Sequence, residues 1–260
     1  MLIFTLKKWL FDMWDVVIRL LIINALSIVA LAITLTIPGV LTNAGIDPFI
    51  TIPVFFTGIF LMILLISGIT AVTSVSVYYK KWNFSDFWNG AKKHFLSTFF
   101  FIILNAAAFF LLSNAVPFYL ELNDMLGFAA VAVLLWVGVF WMMAALFYIP
   151  LSSQMQDPFI KTLKKSFLVA LDNPGFAVVL LALVFLSVIA SGFTAFMFPG
   201  VFGILLLLQG ATKLRLRKYD YIEENSDADR KNIPWNALLD DDSQYIGKIS
   251  LKNTFFPWKE

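Results

Sequence analysis

Long apolar runs broken by short polar clusters dominate the chain. Four of them, at about 17–41, 53–79, 95–116 and 126–149, each have the length of one bilayer crossing, which takes about 20 residues of helix. A fifth runs unbroken over 175–214 and is too long for one crossing. Phe198-Pro199-Gly200, near its middle, is a turn signal, so this stretch is predicted to fold into a hairpin. The pattern predicts an all-α, polytopic membrane bundle of six transmembrane helices arranged as three hairpins.

The charges sort themselves around these runs. Lys7, Lys8 and Arg19 flank the first, and Lys80, Lys81, Lys92 and Lys93 separate the second from the third. Lys161, Lys164 and Lys165 lie before the fifth, and Lys213, Arg215, Arg217 and Lys218 close it. The other five of the 19 basic residues are in the C-terminal tail, while the remaining connections carry only Asp47, Glu121 and Asp124. The positive-inside rule assigns the basic loops to the cytoplasm. An even number of crossings then separates successive basic clusters, which makes 175–214 cross twice and puts both termini inside. Trp9, Trp14, Tyr78, Tyr79, Trp82, Trp88, Tyr148 and Tyr219 cluster at the same predicted inner interface, as amphipathic rings do. The run beginning near residue 16 is longer than a signal-peptide core and is expected to be retained as the first span.

A lysine pair precedes each hairpin in an amphipathic stretch: TLKKWLFDMW, GAKKHFLSTF and TLKKSFLVAL. Each is expected to form a short helix in the inner interface, and together they suggest a threefold repeat. Paired lysines before a span also satisfy topology alone, so both readings stand. Residues 1–218 form the six-span domain. Residues 219–260 form a polar tail with Asp240-Asp241-Asp242 in its middle and apolar islands at Pro234-Trp235, Leu238-Leu239 and Phe255-Phe256-Pro257-Trp258. Trp235, Phe255, Phe256 and Trp258 are candidates for docking on a membrane-protein partner or on the chain's own cytoplasmic face; resting on the membrane surface is the alternative.

Composition strengthens the membrane assignment. The chain is 60% hydrophobic and 14% charged, with mean hydropathy +0.84, so the lipid bilayer must solvate much of its surface. It has no cysteine and one histidine, His94, which excludes disulfides, thiolate chemistry and multi-histidine metal sites. Basic residues in short juxtamembrane groups are not a nucleic-acid surface. The acids fall at or beyond the ends of the runs, no phosphate-binding loop or metal-ligand spacing occurs, and no cofactor is expected. These features point away from an enzyme and from an ion-coupled transporter, which places ionisable groups at the midplane.

The polar groups within the runs are neutral. Asn24, Asn105 and Gln209 are amides that must find partners across helices. Ser67, Thr70, Ala71 and Ser74 share one helical face, expected to serve close packing, with a polar path as the alternative.

The order of features resembles the YesL-like family of bacterial multi-pass membrane proteins, a domain family of unknown function. The resemblance rests on four segments. They are the first span ending in Ile37-Pro38-Gly39; Gly68-Ile69-Thr70-Ala71 leading to Tyr78-Tyr79; Phe84-Ser85-Asp86-Phe87-Trp88 followed by Lys92-Lys93-His94-Phe95; and Ser166-Phe167-Leu168 through Asp172-Asn173-Pro174. It covers roughly residues 1–218, and the chain departs from it in a longer first external connection and the added tail. It implies a helical bundle of the bacterial inner membrane, non-enzymatic, accessory to a complex such as a carbohydrate transporter. Two other functions stay open: a pathway for a neutral solute, and, more weakly, a lipid-modifying enzyme using His94 with Asp86 or Asp172.

Overall fold

The computed structural model describes residues 2–225 and 233–246, and within them the chain is helical, with no strand. The helices are α1 (Leu2–Asp15), α2 (Val17–Asn43), α3 (Pro48–Ser76), α4 (Phe84–Glu121), α5 (Met125–Gln154), α6 (Phe159–Asp172), α7 (Pro174–Phe193), α8 (Gly200–Glu224), α9 (Trp235–Leu238) and α10 (Asp240–Ile246).

The acids at the ends of the apolar runs start helices. The Asp47 side chain accepts from the Phe49 amide, with Pro48 in the first turn of α3. Asp124 accepts from the Gly127 amide to open α5, and Asp86 accepts from the Asn83 amide to open α4. Each satisfies a backbone donor that a helix start leaves without an intrahelical partner.

Helices α2 to α5 pack in chain order, each on the next. On α3, Ala71 lies against Gly90 of α4, and the Phe87 ring covers Gly68. Helices α2 and α4 both pack on α3.

Among the described residues, five helices are long and apolar enough to cross a membrane: α2, α3, α4, α5 and α7. Helix α8 is not one of them. Its apolar stretch ends at Lys213 and is followed by Arg215, Arg217 and Lys218. It is also enclosed, with no exposed residue from Gly200 to Tyr219, and it packs against α1, α2, α3, α5 and α7. A span facing lipid shows one side to the hydrocarbon, as α7 does at Val178, Phe185, Leu186 and Val188. Helix α8 shows none. It is the axis of the bundle.

The turn predicted at Phe198-Pro199-Gly200 does separate α7 from α8. Asn24 fixes its position. The Asn24 amide donates to the carbonyls of Met197 (3.0 Å) and Pro199 (2.8 Å), and its oxygen accepts from the Phe202 amide (3.0 Å). Gly200 passes so close to Asn24, at φ +61°, that a side chain there has no room. Asn24 is in the second turn of α2, so the α7–α8 connection sits about 28 Å, at 1.5 Å per residue, short of the far end of that helix. The α7–α8 hairpin is therefore offset from the α2–α3 hairpin rather than level with it.

The short amphipathic helices are realised in two of three places. Helices α1 and α6 are separate elements, whereas the middle stretch, GAKKHFLSTF, lies inside the long helix α4. Helix α1 is not a free interfacial helix either. It lies antiparallel to α8, with Phe4 near Leu214 and Met13 near Gly203, and Phe4, Lys8, Asp12 and Met13 are buried. The Trp9 indole donates to the Gly203 carbonyl (2.8 Å).

Candidate functional site

Two polar centres lie along α8. The first is Gln209, fully buried. Its amide donates to the Ser153 hydroxyl (2.8 Å) and the Thr70 carbonyl (3.2 Å), and its oxygen accepts from Gln154 (2.7 Å). One side chain thus ties α8 to α3 and α5, as an amide excluded from water must.

The second centre is a turn further on. The Lys213 ammonium is buried and donates to the Val77 carbonyl (2.8 Å) and to Asp242 of α10 (2.8 Å). It lies over the rings of Tyr78 and Tyr79. Arg217, one helical turn along α8, reaches the other oxygen of Asp242 (2.8 Å). Lys8 of α1 joins from the opposite side, pairing with Asp12 (2.9 Å) and donating to the Tyr79 hydroxyl (2.9 Å). Tyr79, held at φ +59° just past α3, stacks its other surface on Tyr245 of α10 (4.4 Å between centroids). Three cations and two carboxylates from α1, α8 and α10 therefore meet around one tyrosine. A cleft of about 340 Å³ opens beside them, lined by Tyr78, Tyr79, Lys213, Arg217, Asp242 and Tyr245.

Burial pushes the Asp12 carboxyl up to about 6, against the opposing pull of Lys8. Burial pushes Asp242 in the same direction, but the hydrogen bond from Lys213 and the charges of Lys213, Lys8 and Arg217 outweigh it, leaving its carboxyl below the usual range. The two carboxylates are thus driven apart by their surroundings.

A related cluster joins α8 to the α6–α7 junction. Arg215 donates to Asn173 (2.9 Å) and covers the Phe176 ring, while Lys218 and Tyr219 hold Asp172 (2.9 Å each). The basic residues after the last apolar run are therefore not a solvated juxtamembrane group. Lys213 and Lys218 are buried in ion pairs, and Arg215 is buried with its guanidinium on Asn173.

The structure brings together only two of the six intramembrane polar residues singled out from the sequence, Thr70 and Gln209. Asn24 is the clamp on the α7–α8 turn. Asn105 donates to the Phe101 carbonyl and accepts from Trp141 (3.1 Å), linking α4 to α5. The hydroxyls of Ser67, Thr70 and Ser74 each donate to a carbonyl of their own helix, at Ile63, Ile66 and Ala71. They do not form a continuous polar face. His94 and Asp86 are eight residues apart on α4, about 12 Å along its axis, and Asp172 is engaged by Lys218 and Tyr219. The acid–histidine pairing considered from the sequence is not assembled.

Residues 233–246 of the tail dock on the chain itself. Leu239 is buried against Phe4 and Leu214, with Trp235 packed beside them, and Arg217 donates to the Leu238 carbonyl (2.7 Å). Phe255, Phe256 and Trp258 lie outside the described residues. No family model matches the chain, and neither a curated protein nor a solved structure is similar to it.

Removing one partner of a buried ion pair leaves a charge without compensation, at a cost of about 3–5 kcal/mol, whereas an apolar replacement of both is close to neutral. Asp242→Ala is therefore expected to lower the unfolding midpoint in detergent sharply and to free the tail for proteolysis. Lys213→Met combined with Asp242→Leu is expected to recover most of the midpoint. Asp12 gives a pH signature of the same centre. Its folded pKa lies above the unfolded value, so the folded state holds more protons between about pH 4 and 6. Stability from this group therefore rises, on the order of 1 kcal/mol, as pH falls from 7 towards 5. Denaturation midpoints across that range check this, and Asp12→Asn is expected to flatten the rise.

Proposed function

We propose that this chain is a non-catalytic integral membrane protein that serves as an accessory subunit of a membrane complex. The observation that carries the reading is the return of the C-terminal segment onto the bundle through the buried Lys213–Asp242 pair. A tail held by charges, and not by an apolar core of its own, is a handle that a partner can take up or release. The hydroxyls of α3 are spent on their own helix, and the amides Asn24, Asn105 and Gln209 on helix-to-helix contacts. This favours a scaffold over the alternative of a neutral-solute pathway. The resemblance to the YesL-like family supports a bacterial inner-membrane setting and a carbohydrate transporter as the complex served.

The distribution of basic residues supports cytoplasmic termini. This orientation does not depend on whether α7 and α8 cross fully or dip in and return, since both ends of that hairpin are on one side. An impermeant amine label is expected to reach Lys80 and Lys81 only after the membrane is opened; labelling in intact cells contradicts the orientation.

The functional test compares the intact chain with one truncated after Asn225, each tagged and solubilised from the native membrane. The membrane subunit of a sugar uptake system is expected to co-purify with the intact chain and to be lost or altered with the truncated one. No such subunit with either form, together with sugar flux through liposomes holding this protein alone, replaces the accessory reading with transport.

A further inference from the structure

Helices α2 and α4 flank α3, and a trough lies between them. It comprises two cavities of about 260 Å³ each that meet at Leu26, Phe84 and Phe87. From one end to the other it follows α2 from Arg19 to Ile33, about 21 Å at 1.5 Å per residue. Its floor is Leu61, Leu64 and Leu65 of α3, and its far wall includes Phe84, Phe87 and Trp88 of α4.

The chemistry of the trough changes once along its length. Arg19 is the one charged residue lining it, and it stands at the end where α2 begins. The guanidinium lies over the Trp82 ring, 4.9 Å from its centroid, and among the described residues no carboxylate is within ion-pair distance of it. Asp86, the nearest acid along α4, is turned to the Asn83 amide at the start of that helix. Beyond Arg19 and Asn83 the lining is apolar, apart from the Trp88 indole.

A site with an uncompensated guanidinium at its head and some 20 Å of apolar wall has a defined complement. We propose that this trough binds an anionic phospholipid, its phosphodiester on Arg19 and one acyl chain laid along Leu26, Ala30 and Ile33. The trough lies along a helix apolar enough to span the bilayer, and it extends beyond the depth of one leaflet, about half of a 30 Å hydrocarbon core. Arginine suits the head position because its planar fork takes two phosphate oxygens at once. Stacking on Trp82 holds that fork at the interface instead of letting it wander into water. A second protein helix would meet the bare Arg19 charge in an apolar contact, whereas a phosphodiester neutralises it.

The test is native mass spectrometry of the full chain in detergent, titrated with dioleoylphosphatidylglycerol or dioleoylphosphatidylcholine. The anionic lipid is expected to bind at least about tenfold more tightly, in keeping with one charge-assisted contact. Arg19→Met is expected to remove that preference, and Arg19→Lys to keep part of it. Ala30→Trp, which fills the trough far from the charge, is expected to weaken both lipids. Glycerol phosphate, carrying the head chemistry without chains, is expected not to compete at equal concentration. Equal binding of the two lipids, an unchanged preference in Arg19→Met, or full competition by glycerol phosphate overturns the proposal. Unfolding midpoints of each variant are read alongside, and Arg19→Lys keeps the test decisive should Arg19→Met fold poorly.

Discussion

A helix that carries an amide and several cations cannot face hydrocarbon, and that constraint organises this molecule. Helix α8 has thirteen residues of apolar sequence, Gly200 to Thr212, interrupted by Gln209 and followed directly by Lys213 and Arg215. Thirteen residues rise about 20 Å, less than the hydrocarbon core of a bilayer. Each polar group needs a partner that lipid does not supply. The fold answers by wrapping α8. Helices α3 and α5 satisfy Gln209, the end of α3 and the returning tail satisfy Lys213, and the α6–α7 junction takes up Lys218 and one nitrogen of Arg215. The outer helices expose mainly apolar side chains, as α7 does at Val178, Phe185, Leu186 and Val188.

Chain ends matter in such an arrangement more than they do in a bundle of equivalent spans. Helix α1 covers one side of α8 and brings Lys8 and Asp12, and α10 closes the charge cluster with Asp242. The tail's few apolar residues suffice because Leu239 and Trp235 add to a surface that Phe4 and Leu214 have already built. The trough headed by Arg19 lies between α2 and α4, over α3.

The sequence made the outer elements legible. Apolar runs located α2 to α5 because lipid-facing helices obey a simple length and composition rule, although α4 begins at Phe84, well before its apolar run. The α7–α8 turn was equally readable from Pro199-Gly200. What stayed hidden was the identity of α8, since hydropathy reports that a segment avoids water and not whether protein or lipid surrounds it. The lysines were assigned to topology for the same reason: the positive-inside pattern counts charges without knowing their partners. One signal in the sequence does point to the pairing. Lys213 and Arg217 are one turn apart, and Asp241-Asp242 lies on a tail long enough to fold back to them. Nothing in the spacing of the intramembrane hydroxyls foretells that each bonds its own helix. Asn24 was recognised as an amide in need of a partner, but its partner, a turn more than 170 residues away in sequence, is a property of the tertiary fold alone.

Enclosure of α8 is the central claim, and a lipid-partitioned carbene photolabel examines it without altering the chain. Activated in proteoliposomes and read by peptide mass spectrometry, the label is expected to modify residues 178–193 of α7 and to leave residues 200–214 of α8 unmodified. Labelling of α8 along one face, at a level matching α7, would show an ordinary lipid-exposed span and contradict the account.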